Sequence, residues 1–144
     1  MKVLVDTSAW ADFLNGHPTA EREALRELIT GEDDLFTCGL VVAEVFQGLR
    51  KEKGREELTD LFRQLNYLEP DGIELYFRAA ALYRDLRAQG VTIRSTIDCL
   101  IAILAETSGC HLLARDRDLA QILKSGLVSV RPWPVATTNP PETA

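Results

Sequence analysis

Four acidic residues in this chain stand beside apolar runs. Asp6 closes Val3-Leu4-Val5, Glu44 interrupts Val41-Val42-Ala43 and Val45-Phe46, Asp98 follows Thr96-Ile97, and Asp116 comes two residues after Leu112-Leu113-Ala114. Carboxylates brought together repel, by roughly 4 kcal/mol for two unit charges ~4 Å apart at an effective dielectric near 20. Such a cluster must be protonated, paired with basic residues, or neutralised by a divalent cation. Only two histidines and three widely spaced cysteines occur, with no C-x-x-C pair, which argues against a structural zinc site and a disulfide framework. Oxygen-only ligands favour magnesium or manganese. A hard cation held by carboxylates can activate water and steady a phosphoryl transition state, so phosphoester hydrolysis is the chemistry these residues suit.

Each acid also has an ordinary explanation. Asp6 in Asp6-Thr7-Ser8 suits a turn or cap, and Asp98 suits a helix N-terminus through the macrodipole. Asp116 and Asp118 suit a capping pair in Arg115-Asp116-Arg117-Asp118. Glu44 is harder to dismiss, because a lone acid in an apolar stretch is costly to bury.

What decides between the readings is where the elements place the acids. Lys2 to Val5 reads as a buried strand, and Ser8 can cap a helix carrying Trp10, Phe13 and Leu14 that ends at Gly16 and Pro18. Helical spacing continues over residues 20–30, with Leu25, Leu28 and Ile29 on one side, and stops at Gly31. Residues 35–38 read as a strand and a helix begins at about Leu40. Further helices are expected over 56–66, 73–89, 96–107 and 118–124, with strands over 67–69, 111–114 and 127–130. Gly109 is well placed just past the end of the 96–107 helix, and Ser95 or Thr96 at its start. Aromatic residues Trp10, Phe13 and Phe46 fall on buried faces, not on base-stacking platforms.

Alternating strands and helices predict an α/β fold, a three-layer α/β/α sandwich around a mainly parallel sheet. The expected domain covers residues 1–131, with 132–144, carrying four prolines, as a C-terminal tail. Ligands in such folds gather outside the carboxyl ends of the strands. All four acids map to that end, which makes four separate ordinary explanations improbable.

At 144 residues, 46% apolar and 26% charged, the chain suits one globular domain. No apolar run approaches the roughly 20 residues of a membrane span, and Asp6 interrupts the N-terminus before a signal peptide could form, so the expected location is the cytoplasm. The net charge of −6 argues against a general, charge-driven nucleic-acid binder. Setting four metal-bound acids aside leaves 18 acidic residues against 16 basic, a net of −2, which weakens that objection. The one basic cluster is Arg50-Lys51-Glu52-Lys53-Gly54-Arg55, whose plain reading is a solvated helix end.

Four segments resemble the motifs of PIN domains: Val3-Leu4-Val5-Asp6-Thr7-Ser8-Ala9-Trp10, Val41-Val42-Ala43-Glu44-Val45, residues 93–102 around Asp98, and Leu112-Leu113-Ala114-Arg115-Asp116-Arg117-Asp118-Leu119. Each is weak alone; in this order, over nearly residues 1–131, the set is specific. The resemblance implies a compact α/β/α nuclease using magnesium or manganese, commonly a homodimer. Small bacterial members resemble VapC toxins, which cut structured RNA such as tRNA and are silenced by a VapB-like antitoxin.

On that resemblance Asp6, Glu44, Asp98 and Asp116 take the metal-binding positions. Ser8 supports the first acid, and Asp118 binds through water or caps the last helix. Arg94 and Arg115 become candidate RNA contacts, with ion pairing inside the acidic cluster as the alternative. The implied reaction is in-line attack of cation-activated water on a phosphodiester, with no histidine needed as base. A haloacid-dehalogenase-like phosphatase would place a second aspartate where Ser8 stands. A receiver domain would need an acidic pair, a central phospho-acceptor and a late lysine, an order this sequence does not offer. A degenerate, non-catalytic PIN domain is disfavoured by acids at all four positions.

Overall fold

Four short strands make one all-parallel sheet in the order β3-β2-β1-β4, where β1 is Lys2–Val5, β2 Asp34–Cys38, β3 Asn66–Leu68 and β4 His111–Leu113. This computed structural model describes residues 1–136. The helices are α1 (Thr7–Asn15), α2 (Ala20–Thr30), α3 (Gly39–Gln47), α4 (Arg55–Gln64), α5 (Glu74–Ala88), α6 (Thr96–Ser108) and α7 (Arg117–Lys124).

Strand order follows from the crossovers. From β1 to β2 to β3 the chain steps outward in one direction, so right-handed connections lay α1 to α4 on one face. From β3 it returns past β1 to β4, and the reversed step puts α5 and α6 on the other. Accordingly α1 packs with α2 and α3, while α6 packs with α5 and α7. The sheet is sandwiched, and β1, buried on both faces at Val3, Leu4 and Val5, is all apolar there.

Local chemistry explains the helix ends. α6 runs until Gly109, whose φ of 67° makes a left-handed cap that a residue with a Cβ adopts at a cost. Its N-cap is Ser95, which accepts from the Ile97 amide at 3.2 Å. α1 departs from expectation: the cap is Asp6, whose carboxylate accepts from the Ser8 amide at 3.1 Å. Both side chains can cap, and Asp6 stands one residue outside the helix, where the first free amides point.

The strand expected over 127–130 does not form. A turn through Gly126 follows α7, and the Ser129 amide donates to Glu106 Oε2 at 2.7 Å instead of to a neighbouring strand. Val128 and Val130 are still buried, so the apolar signal marked core contact rather than strand. The sheet edge is extended two residues beyond the boundary expected at 131: Leu112 donates to Arg131 O at 3.1 Å and accepts from the Trp133 amide at 2.9 Å. The Trp133 ring meets His111 edge-on, with centroids 5.6 Å apart. Residues 137–144 of the expected tail lie outside the described residues.

The core centres on Trp10, fully buried in α1, whose ring lies 4.5 Å from Phe62 of α4. Phe46 of α3 meets Phe62 nearly perpendicularly at 5.2 Å. Trp10, Phe13 and Phe46 thus serve packing, as expected, and lock α1, α3 and α4 into a block. Among the described residues no helix is long and apolar enough to cross a membrane.

Candidate metal centre

The sheet reverses its winding between β1 and β4, and ligands of open parallel sheets sit outside the carboxyl ends at such a switch point. Asp6 leaves the end of β1 and Asp116 lies three residues beyond the end of β4, so the two acids flank that crevice. Glu44 enters from α3, which follows β2, and Asp98 from the first turn of α6.

Asp98, Asp116 and Asp118 each offer a carboxylate oxygen, and these lie within 4.8 Å of one another, close enough to share a metal ion. Asp6 and Glu44 adjoin it closely enough for their charges to act on Asp98. Burial, then the charges of Asp116, Asp6, Asp118 and Glu44, push the Asp98 carboxyl up to about 7. Burial also raises Asp6, only partly offset by Ser8, and raises Glu44. In each case the charged form is short of a counter-charge.

Protein groups occupy one oxygen of several acids and leave the other open. Asp6 Oδ2 accepts from the Ser8 amide and from Ser8 Oγ at 2.7 Å, and Ser8 Oγ in turn accepts from the Arg115 amide at 2.9 Å. That chain ties the loop after β4 to the loop after β1. Glu44 Oε1 accepts from Thr7 Oγ1 at 3.2 Å. Asp116 Oδ1 caps α7 by accepting from the Leu119 amide at 3.0 Å. Capping and a place at or beside the acidic group are therefore compatible for Asp6 and Asp116, since a cap uses one oxygen. Nothing among the described hydrogen bonds engages the Asp98 carboxylate.

Asp118, read from sequence as a cap or a water-mediated ligand, caps nothing. It is 5% exposed, and its Oδ2 accepts from both Arg94 N and Arg94 Nε at 3.1 Å. Those bonds hold its carboxyl below the usual range. Arg94 Nη2 lies 3.9 Å from Asp116, and its side chain is 78% exposed at the rim.

Arg115, a candidate RNA contact with ion pairing as the alternative, pairs through Nε and Nη2 with the carboxylate of Asp12 at 2.5 and 2.8 Å, an acid outside the cluster. A bidentate pair with a buried acid fixes the direction of the guanidinium, whose side chain is still half exposed. Asp12 also accepts from Thr19 Oγ1 at 3.0 Å and is 3.1 Å from His17 Nδ1. The Arg115 bonds foremost hold its carboxyl down at about 2. Asp12 was overlooked in the sequence, though the signal was there: it lies on the buried side of α1 with Ala9 and Trp10, where an acid demands a partner.

The donor set suits a hard divalent cation. The clustered ligands are carboxylate oxygens alone, and Asp98, with no protein partner, is the group a cation would relieve. The N-termini of α1, α6 and α7 converge here and offset part of the repulsion.

Comparison with known proteins agrees with this geometry. The PIN domain model matches residues 3–124, a span that begins in β1 and ends with α7. The VapC ribonuclease Mb1587 of Mycobacterium bovis is 31% identical over 123 residues, 85% of this chain and 92% of that protein. Ribonuclease VapC11 of Mycobacterium tuberculosis matches with the same identity and coverage. Among solved structures, VapBC2 from Rickettsia felis, bound to a DNA fragment from its promoter, superposes with a TM-score of 0.68 at 20% identity. It covers 93% of this chain and 100% of that one. VapBC-1 from nontypeable Haemophilus influenzae gives 0.66 at 20%, covering 92% and 98%. At such identities the structural likeness speaks for the fold. Sequence and fold together lead to one conclusion: the chain belongs to the PIN-domain family, among its VapC ribonucleases.

Proposed function

We propose that this protein is an endoribonuclease toxin whose Asp6, Glu44, Asp98 and Asp116 hold magnesium or manganese at the β1/β4 crevice. The observation that carries the reading is Asp98: its carboxyl is crowded by four acids, engaged by none of the described donors, and raised to about 7. When bound, the cation would polarise the scissile phosphate and its attacking water, which supplies the base that no histidine provides.

The chain's own groups account for the rest. Ser8 turns one oxygen of Asp6 inward to the loop and leaves the other for the crevice. Thr7 does the same for Glu44. Arg94 neutralises Asp118 so that the fifth acid does not overload the cluster, and its guanidinium, 78% exposed, would meet a phosphate at the rim. Asp118 thereby supports the site without being one of its principal ligands.

RNA, with tRNA as the structured candidate, is the proposed substrate, and a VapB-like antitoxin the proposed partner. The support for the partner is that the superposable Rickettsia felis and Haemophilus influenzae structures are VapBC assemblies. An antitoxin arginine would be an apt competitor for the cation, because guanidinium pairs bidentately with carboxylate. A homodimer and a cytoplasmic location, where such RNA is found, complete the reading.

The test is cleavage of tRNA by purified protein with magnesium or manganese and with chelator. Asp6→Asn and Asp98→Asn are expected to lower the rate about a hundredfold or more, the scale of losing one electrostatic stabiliser. Undiminished cleavage in excess chelator, or by both variants, would remove the metal centre from the mechanism.

A further inference from the structure

The catalytic cluster uses none of the basic residues at 50–55, yet these line a cleft of about 670 Å³. Its walls are Leu14 and Asn15 at the end of α1, Gly48 and Leu49 after α3, and Leu58 of α4. Arg50, Lys51, Lys53 and Arg55 complete it, and no acidic side chain lines it. Glu52, Glu56 and Glu57 are near in sequence but are not among the lining residues. All four cations are exposed, and none forms an ion pair within the described residues.

Four unpaired cations around one cleft, in a chain of net charge −6, need a reason. Arg50 and Lys51 follow the C-terminus of α3, where the dipole favours cations, but Lys53 precedes α4 and Arg55 opens it. Lys53 and Arg55 oppose the macrodipole of α4, whereas an anion in the cleft would meet all four cations.

The cleft is also close to the acids. Gly48 is four residues after Glu44, one helical turn or about 6 Å along α3 on the same side. At the end of α1, Asn15 lies eight residues, about 12 Å, from Thr7, which holds Glu44. Stacked nucleotides advance about 3.4 Å each along a strand, so the cleft falls two to four nucleotides from a phosphate at the acids.

We propose that the cleft formed by Arg50, Lys51, Lys53 and Arg55 is a phosphate subsite that grips the RNA strand a few nucleotides from the bond being cut. It rests on the nuclease reading and adds to it where the substrate backbone runs: over the ends of α1 and α3 to the N-terminus of α4. The cations act on charge alone, so the subsite gives affinity and register without reading sequence.

The test compares wild type with the combined variant Arg50→Gln, Lys51→Gln, Lys53→Gln and Arg55→Gln, and with a control, Arg84→Gln with Arg87→Gln, on the exposed side of α5. Binding of a 20-nucleotide single-stranded RNA is measured against salt, and cleavage of that RNA against a dinucleotide. Each lost phosphate contact lowers the salt slope by about 0.7, so a fall of about 1.4 or more is expected for the cleft variant. KM for the long RNA should rise at least tenfold while dinucleotide cleavage stays at the wild-type rate, and the control should change neither. An unchanged slope and KM in a wild type that does cleave RNA overturns the subsite alone. Wild type without cleavage or binding overturns the nuclease reading and the subsite with it. Polyglutamate binding that is lost in the cleft variant, with RNA affinity intact, assigns the cleft to an acidic protein and overturns the subsite.

Discussion

Asp98 offers the cleanest separation of catalysis from folding, because its carboxylate accepts none of the described hydrogen bonds and caps no helix. Asp98→Asn keeps the volume and removes one charge from the cluster. Raising a carboxyl from 3.8 to about 7 corresponds to a ceiling of about 4 kcal/mol of unfavourable energy in the ionised, metal-free fold. Partial exposure screens that figure, and a charge in the first turn of α6 returns about 0.5 kcal/mol through the helix dipole. A net gain on the order of 2 kcal/mol remains for the variant. For 144 residues, an unfolding entropy of about 2 cal/mol/K per residue converts this to a rise in Tm of about 7 °C.

The sign with pH follows from linkage. The folded pKa lies above the unfolded value, so metal-free wild type loses stability as pH rises from about 4 through 7. Melts in chelator should therefore show the two proteins together near pH 4 and the variant ahead at pH 8. Adding manganese at about 100 times its Kd should stabilise wild type by about 2.7 kcal/mol and reverse the order. An Asp98→Asn protein that melts below wild type at pH 8 in chelator would mean that the acid is structurally satisfied. The electrostatic reasoning would then be wrong.

Two other changes probe the supports of the site. Asp12→Asn is expected to cost about 2 kcal/mol, because the neutral amide gives up the charge-assisted bonds from Arg115. Asp12's depressed carboxyl also means that this part of the stability is present above pH 4 and lost as pH falls through about 2; denaturant titrations at pH 7 and pH 3 check both, and a loss under 1 kcal/mol would contradict the pairing. Ser8→Ala should weaken manganese binding about tenfold by releasing Asp6 Oδ2, as measured by calorimetric titration. Unaltered affinity would show that the hydroxyl serves the loop and not the acid.

The alternation of elements and the acids' placement were legible in sequence because both depend on short-range chemistry. Apolar runs and helical patterns, Gly109 after α6 and Ser95 before it act over a few residues, and Asp6 and Asp116 simply follow apolar strands. Where local signals compete, sequence was a weaker guide. Ser8 and Asp6 both offer a cap and only position chose Asp6, while Val128 and Val130 are apolar because they are buried, not because they pair.

Other features belong to the tertiary structure alone. That β1 lies between β2 and β4, which makes the crevice, depends on the return from β3 past β1. Arg115 meets Asp12 across 103 residues and Arg94 meets Asp118 across 24, and Asp118, a candidate cap, joins the acidic group. A guanidinium carries the same charge toward a phosphate or a carboxylate. Sequence specifies that charge, but only the folded backbone sets which anion lies within reach, and at ~3 Å a difference of one helical turn decides the partner.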